Sequence, residues 1–318
     1  MKVFISGADG FLGSAVTAEL ARRGHEVVGL ARDEAGMKRV QDAGGRCVRG
    51  DLFESGPWCA EIRDADKVIS LTRPFRLDED IPPEGMQEYG MKHAEAVTNL
   101  IKAAADGKAK AVITTYHTSC LGDRKGRWVE SDAAAIDPVG WCRPLAGSFE
   151  AIEEIAGEAE VPLVRVYPAM VYGDGGWFRR IVDAFRSGRA KVVEPGDNFL
   201  SLIHVEDLAG LYALITERID KDDVFILSDD RPVTQRDLLD HVAALMGKPK
   251  APMVDLDAYA GQFGRLMAES MASSTRASGV KAIDTFDYEL RHGGYEKGVE
   301  YTLKSMGLES GETVEEAA

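Results

Sequence analysis

Short apolar runs alternate with segments of helical spacing over the first 167 residues. Residues 2–6 form such a run, residues 14–23 have apolar side chains at helical spacing, and Gly24 suits a left-handed helix C-cap. The further strands are predicted at residues 25–31, 46–49, 67–71, 109–115 and 162–167, and the further helices at 84–105 and 149–158. Because strands separated by helices imply right-handed crossovers, the pattern predicts an α/β fold with a doubly wound parallel sheet.

The alternation becomes less regular after residue 170. The pattern predicts a turn at residues 173–176 and helices at 177–186 and 238–246. We interpret this half of the chain as a smaller lobe that closes over the carboxyl edge of the sheet. Residues 307–318 contain four glutamates and no basic residue, which predicts a solvated acidic tail.

Composition and charge exclude several classes of protein. The 53 acidic and 38 basic residues give a net charge of −15, whereas a nucleic-acid-binding domain normally carries a basic face. The apolar stretches fall well below the roughly 18 residues that a membrane span needs, and no secretory signal is visible at the start. The four cysteines are scattered, which indicates neither a metal site nor a disulfide framework. We therefore expect a cytoplasmic protein without a membrane or nucleic-acid partner.

A glycine-rich loop connects the first strand to the first helix. Its glycines permit a tight turn and close backbone approach to a pyrophosphate, and the helix N-terminus adds unpaired N–H groups and the positive end of a dipole. The alternative is an ordinary tight turn, but the strand–loop–helix context favours a dinucleotide site. The candidate binding residues of this loop are Gly7, Gly10, Phe11, Leu12 and Gly13.

The GxxGxxG spacing resembles the extended short-chain dehydrogenase/reductase family, in its NAD-dependent epimerase/dehydratase branch. Further resembling motifs lie at residues 50–52, 68–72, 165–173 and 202–209. The resemblance implies a Rossmann-type sheet and cofactor contacts from Asp51, Leu52, Leu71, Thr72, Tyr167 and Pro168. It also implies a dinucleotide-binding domain at 1–168 with later returns near 199–227, a substrate-binding lobe at 169–306, and a possible homodimer through helices 84–105 and 149–158.

The end of the second strand bears on the choice of cofactor. An acidic residue there would bind the ribose hydroxyls of NAD, but this chain has Ala31 and Arg32. An arginine can bind a 2′-phosphate through charge-assisted hydrogen bonds. We therefore predict NADP, with NAD as the alternative; a merely solvent-facing Arg32 is also possible.

The catalytic Tyr-x-x-x-Lys pair of the family is absent. Counting along residues 138–150 places Cys142 at the tyrosine position and Ala146 at the lysine position. A thiol at 142 could act as nucleophile or acid if a neighbouring cation lowered its pKa, but a small apolar filler is the favoured interpretation.

The family's catalytic serine or threonine is altered as well. Counting back from Gly122 places His117 there, with Thr118 and Ser119 beside it. An imidazole at this corner could exchange protons near neutral pH, and a purely structural histidine is the alternative. Tyr172 is a further candidate at the border of the substrate pocket.

These features predict an atypical NAD(P)-binding enzyme of this family. It would be an oxidoreductase or epimerase acting on a small carbonyl or hydroxyl metabolite or on a sugar nucleotide, with a non-standard acid/base residue. Two alternatives remain open: a lyase, isomerase or cyclase that reuses the pocket without redox chemistry, and a catalytically inactive NADP-binding sensor.

Overall fold

The computed structural model describes residues 1–72, 81–133 and 135–308. Its strands are β1 Lys2–Ser6, β2 Glu26–Ala31, β3 Arg46–Arg49, β4 Lys67–Ser70, β5 Val112–Thr115, β6 Trp128–Val129, β7 Leu163–Pro168, β8 Met170–Tyr172, β9 Val192–Val193, β10 Phe199–Leu200, β11 Leu202–His204, β12 Asp223–Leu227, β13 Val233–Thr234, β14 Met253–Val254 and β15 Arg276–Ala277. Its helices are α1 Phe11–Arg22, α2 Glu34–Asp42, α3 Pro57–Arg63, α4 Met86–Ala105, α5 Phe149–Glu158, α6 Gly176–Arg186, α7 Val205–Arg218, α8 Gln235–Leu245, α9 Leu256–Phe263, α10 Arg265–Ala272, α11 Val280–Phe286 and α12 Tyr295–Ser305.

Seven parallel strands form one sheet in the order β12-β7-β5-β4-β1-β2-β3. The chain winds outward from β1 in both directions, as in doubly wound dinucleotide-binding sheets. The predicted fold class is therefore confirmed. The carboxyl ends of β1 and β4 meet where the winding reverses, and ligands of such sheets bind at this point.

The two faces of the sheet carry separate apolar cores. In β1, Val3 and Ile5 pack with α1 and α7, whereas Phe4 points to the other face and packs with α3, α4 and α5. This alternation follows from the period of two along a strand. Helices on both faces leave the carboxyl edge of the sheet for the binding site.

A third apolar core lies in the second half of the chain. It joins β8, α6, α8, α9, α10 and α12 around Phe178, Leu239 and Val299. This lobe stands beside the carboxyl edge, because β8 follows β7 directly and pairs with β11. Within the described part of the chain, no helix combines the length and apolar composition needed to cross a bilayer.

The structure extends or trims several predicted elements. Helix α1 begins at residue 11 rather than 14, and α8 begins at 235 rather than 238, since the Thr234 hydroxyl accepts the Asp237 N–H at 3.1 Å and caps it. Strand β5 begins at 112 rather than 109. The sequence pattern did not identify α2, α3, α7 or α9 to α12. The predicted acidic tail falls mostly on residues 309–318, outside the described residues.

Candidate functional site

The glycine loop brings α1 into close contact with the end of β1. Gly7 adopts φ +73°, in the left-handed region, and its carbonyl accepts the Gly10 N–H at 3.1 Å. A Cβ on Gly13 would lie 2.0 Å from Gly7 O, so a side chain there would push the helix away. Among the described atoms, a Cβ on Gly10 would meet only Gly7 O, at 3.4 Å. Gly7 and Gly13 are therefore required by packing, whereas Gly10 borders open space.

The first turn of α1 suits a phosphate ligand. Gly10 stands at the N-cap with no side chain to accept the free N–H groups, and the first turn contains no acidic residue. The Phe11 ring turns away to the 173–176 segment of the lobe: a Cβ on Gly175 would lie 2.4 Å from it. Because the unpaired N–H groups and the helix dipole both favour an anion, this loop fits a pyrophosphate.

Arginines surround the exposed end of β2. The Arg32 side chain makes no ion pair with another described residue, while its carbonyl accepts Arg49 Nε at 3.2 Å. Arg39 contacts Asp9, with Nη2 at 3.1 Å from the carboxylate.

The acid that follows Arg32 in the sequence, Asp33, accepts the Gly36 N–H at 2.7 Å and caps α2. The nearest carboxylate in the sequence is thus engaged by the backbone of α2. Sequence reasoning identified Arg32 but not the two other arginines.

The other predicted cofactor residues lie at strand ends of the same edge. Leu71 and Thr72 follow β4 and border the glycine loop, since a Cβ on Gly7 would lie 2.8 Å from Leu71 O. Asp51 and Leu52 follow β3; Asp51 accepts the Phe53 N–H at 3.1 Å, and Leu52 is buried.

Tyr167 and Pro168 end β7. The Tyr167 ring is buried and stacks on Tyr116 with centroids 5.3 Å apart. The cofactor contacts of Tyr167 and Pro168, like those of the other named residues, stay predictions.

His117 follows β5 and caps the short 3-10 helix Thr118–Leu121. Its Nδ1 accepts the Ser119 N–H at 3.0 Å, with the Ser119 hydroxyl at 2.9 Å from the same nitrogen. An Nδ1 that accepts an N–H has its lone pair engaged, so the neutral ring carries its proton on Nε2. His117 is 8% exposed and meets Trp141 edge to face, with ring centroids 5.8 Å apart. Thr118 is buried beside it.

Cys142 belongs to a 3-10 helix, Gly140–Ser148, which precedes α5. Its side chain is 1% exposed and packs in an apolar cluster with Tyr116 and Phe149. Ala146, at the family's lysine position, faces solvent. This burial favours the apolar-filler interpretation of Cys142, although its catalytic role is not tested.

Tyr172 is buried in the lobe core rather than at an open surface. A Cβ on Gly298 would lie 1.9 Å from its hydroxyl, and the Phe178 ring lies 6.0 Å away. Burial is the largest cause that raises the pKa of this phenol. Tyr172 is not among the side chains of the cavity described next, and its predicted catalytic role stays a prediction.

A cavity of about 380 Å³ opens in the lobe next to the His117 corner. Trp141 belongs to its wall and also contacts the His117 ring. Most other lining side chains are apolar or aromatic, and two are cationic. The lining residues are Trp141, Trp177, Arg180, Ile181, Ala184, Ala190, Lys191, Leu200, Gln235, Leu238, Leu239, Tyr259, Gln262, Phe263, Gly264, Leu266, Met267 and Met271. Sequence reasoning did not place Trp141 at the pocket, because its position depends on how the 3-10 segment packs.

The signature motif at residues 202–209, which reads His-Val-x-Asp at 204–207, joins the lobe to the sheet. Asp207, in the first turn of α7, accepts the backbone N–H groups of Arg291 and His292 at 2.8 and 2.9 Å. His204 Nδ1 accepts the Glu206 N–H at 3.3 Å and caps the same helix. This signature therefore fixes the segment that precedes α12.

Residues 3–227 match the model of the NAD dependent epimerase/dehydratase family. The chain belongs to this family. The resemblance seen in the sequence is thereby confirmed, and the match supports a nicotinamide cofactor. It favours neither the non-redox lyase, isomerase or cyclase nor the inactive sensor.

Individual proteins resemble the chain over nearly its whole length. It is 24% identical to the 3-diazoavenalumate denitrifying reductase of Streptomyces sp., over 94% of this chain and 99% of the relative. The human epimerase family protein SDR39U1 (isoform 2), solved with NADPH, has a TM-score of 0.78 at 20% identity, covering 96% of this chain and 99% of its own. UDP-glucuronic acid 4-epimerase from Bacillus cereus, solved with NAD, has a TM-score of 0.77 at 16% identity, with the same coverage. At these identities the two solved structures establish the fold alone.

Proposed function

We propose that the chain is an NADP(H)-dependent oxidoreductase that interconverts a carbonyl and a hydroxyl group of a small metabolite, with His117 handling the proton. The observation that carries this proposal is the His117 corner: an imidazole whose Nδ1 is engaged lies just after β5 and contacts Trp141, which lines the apolar lobe cavity. The substrate oxygen would lie near His117 Nε2.

His117 takes the place of the missing tyrosine in this scheme. When bound, the nicotinamide accepts or supplies the hydride at the substrate carbon. In the reductive direction, Nε2–H donates its hydrogen bond to the carbonyl oxygen and stabilises the charge that develops there. The carbon gains the hydride, and the oxygen takes the Nε2 proton, which solvent replaces on the ring, so that a hydroxyl results and the imidazole ends neutral. Ser119 holds the ring in place through Nδ1.

The arginines at the end of β2 support NADP(H) over NAD(H). A 2′-phosphate adds a dianionic group next to Arg32, which has no ion pair with a described residue. Asp33, the neighbouring acid, caps α2. The NADPH named in the human structure supports this choice, whereas the Bacillus cereus epimerase was solved with NAD.

A stereospecifically deuterated NADPH tests the proposal. The chain is incubated with a panel of aldehydes and ketones; we expect stoichiometric NADPH consumption and deuterium on the carbinol carbon of the product. An epimerase would convert its substrate without net consumption of NADPH, which would contradict the redox assignment. His117→Ala, compared with the conservative His117→Gln, should lose turnover while the Kd for NADPH stays unchanged.

A further inference from the structure

The cavity beside the His117 corner has an apolar interior. Its buried wall contains Trp141, Leu238, Leu239 and Met271, while Tyr259 and Phe263 add aromatic faces. Its volume of about 380 Å³ lies in the range of small-molecule sites. Burying a charged diphosphate in such a wall without matched partners is strongly unfavourable, so the interior does not suit a sugar nucleotide.

The cations of the cavity lie at its outer side. Arg180, on α6, is exposed and Lys191 is half-buried, whereas Trp141 is only 4% exposed. Arg180 and Lys191 place two cationic groups at the entrance, in a chain whose net charge is −15. An acidic group on a ligand would be attracted to this end, and the apolar body would lie between it and Trp141.

Two lining side chains also carry buried donors that lack a partner among the described residues. These are Trp177 Nε1 and Gln235 Nε2. Gln235 is held in place through its other atom, because Oε1 accepts the Val193 N–H at 3.2 Å. An unsatisfied buried donor is costly, and a ligand oxygen that reached either group would remove that cost.

We infer that the lobe cavity binds the apolar, preferably aromatic, body of a carboxylate substrate, with the carboxylate at Arg180 and Lys191 and the reacting carbonyl toward Trp141 and His117. This inference rests on the proposed oxidoreductase function for the identity of the reacting group. Binding itself needs no turnover, so the two can be tested separately.

Calorimetry with 2-naphthoate, its neutral analogue 2-naphthylmethanol and UDP-glucose tests the inference. We expect 2-naphthoate to bind with or without NADP and UDP-glucose not to compete. Ala184→Phe fills the cavity from α6 and should weaken 2-naphthoate binding at least about tenfold, the equivalent of about 1.4 kcal/mol. Ala184→Ser leaves the space open and is its matched control. If Ala184→Phe fails to fold, Ala190→Phe fills the cavity from another segment.

Charge removal tests the orientation. Arg180→Met and Lys191→Met should each weaken 2-naphthoate binding and leave 2-naphthylmethanol binding unchanged. The control Lys248→Met, at an exposed site outside the cavity lining, should change the binding of neither ligand. Equal 2-naphthoate affinity in the wild type and both cavity-filling variants, or competition by UDP-glucose, would overturn the inference. An unchanged Kd for NADPH in every variant shows that the cofactor site is intact. Loss of carbonyl turnover alone would count against the proposed function and leave the inference about the cavity standing.

Discussion

Replacing Asp229 by asparagine should stabilise the protein at alkaline pH. Asp229 follows β12 and is 4% exposed. One carboxylate oxygen accepts the Arg231 N–H at 3.0 Å, and Oδ2 has no partner among the described residues. Burial is the main cause that raises the pKa of this carboxyl from 3.8 to about 7. The folded protein therefore holds a proton that the unfolded chain releases.

The sign and size of the effect follow from proton linkage. Between pH 3.8 and 7 the folded state binds more protons at this site than the unfolded state, so the free energy of unfolding falls as pH rises. The gap of about three pKa units corresponds to about 4 kcal/mol, at about 1.4 kcal/mol per unit. Asparagine keeps the oxygen that accepts the Arg231 N–H and removes the titration. The variant should thus match the wild type near pH 4 and exceed it by up to about 4 kcal/mol at pH 8.

Urea denaturation at several pH values between 4 and 9 measures this difference. Asp197→Asn removes the same charge at an exposed position and serves as control. We expect the difference between the Asp229 variant and wild type to grow through pH 5–7 and then level off, and the control to show no such rise. A difference that stays constant with pH would refute the reasoning, because a buried carboxyl with an ordinary pKa contributes no slope in this window.

Three further predictions concern the site. Gly10→Val should abolish nucleotide binding in calorimetry and leave the circular dichroism spectrum unchanged, since Gly10 borders open space. Gly13→Val should instead unfold α1. Normal NADP binding by the Gly10 variant would contradict a phosphate role for the loop. Arg32→Ala should weaken NADP(H) about tenfold and leave NAD(H) unaffected; equal loss for both would disprove 2′-phosphate recognition. His117→Ala should lower kcat by about 10²–10⁴ and Cys142→Ala by less than about tenfold, and the reverse ranking would indicate thiol chemistry.

Local sequence signals predicted six of the seven strands of the main sheet and missed β12, α2 and α3. A glycine such as Gly7, in a left-handed turn between an apolar run and a helix, can be recognised from its immediate neighbours. The parallel pairing of the predicted strands follows because crossovers between parallel strands have a fixed hand. Helices of the lobe, such as α9 and α10, were not identified because their burial depends on a core assembled from residues distant in sequence.

Most residues of the substrate cavity could not be predicted from the sequence, because they too are brought together from distant positions. Trp141 belongs to the segment 140–148, which packs against α10. Its place in the cavity depends on a hydrogen bond between residues 129 positions apart: the Ser270 hydroxyl accepts the Trp141 N–H at 3.0 Å. No local pattern reports such a contact. Arg49 could have been found, because it ends β3 and pairs with Ala31 at the end of β2, where a 2′-phosphate is expected. Arg39 lies within α2, and its contact with Asp9 is not a local sequence signal.

The presence of Cys142 at the family's tyrosine position is consistent with the packing of the 140–148 segment. A Cβ on Gly140 would lie 2.0 Å from the Ser270 hydroxyl, and a Cβ on Gly90 would lie 2.7 Å from Pro144 O, so this segment is held between α10 and α4. Held in this way, it presents Trp141 to the cavity and turns Cys142 into the core. A residue at 142 therefore supports the wall, and proton exchange needs a group other than Cys142. His117, at the end of β5 and in contact with Trp141, is that group in the proposed mechanism.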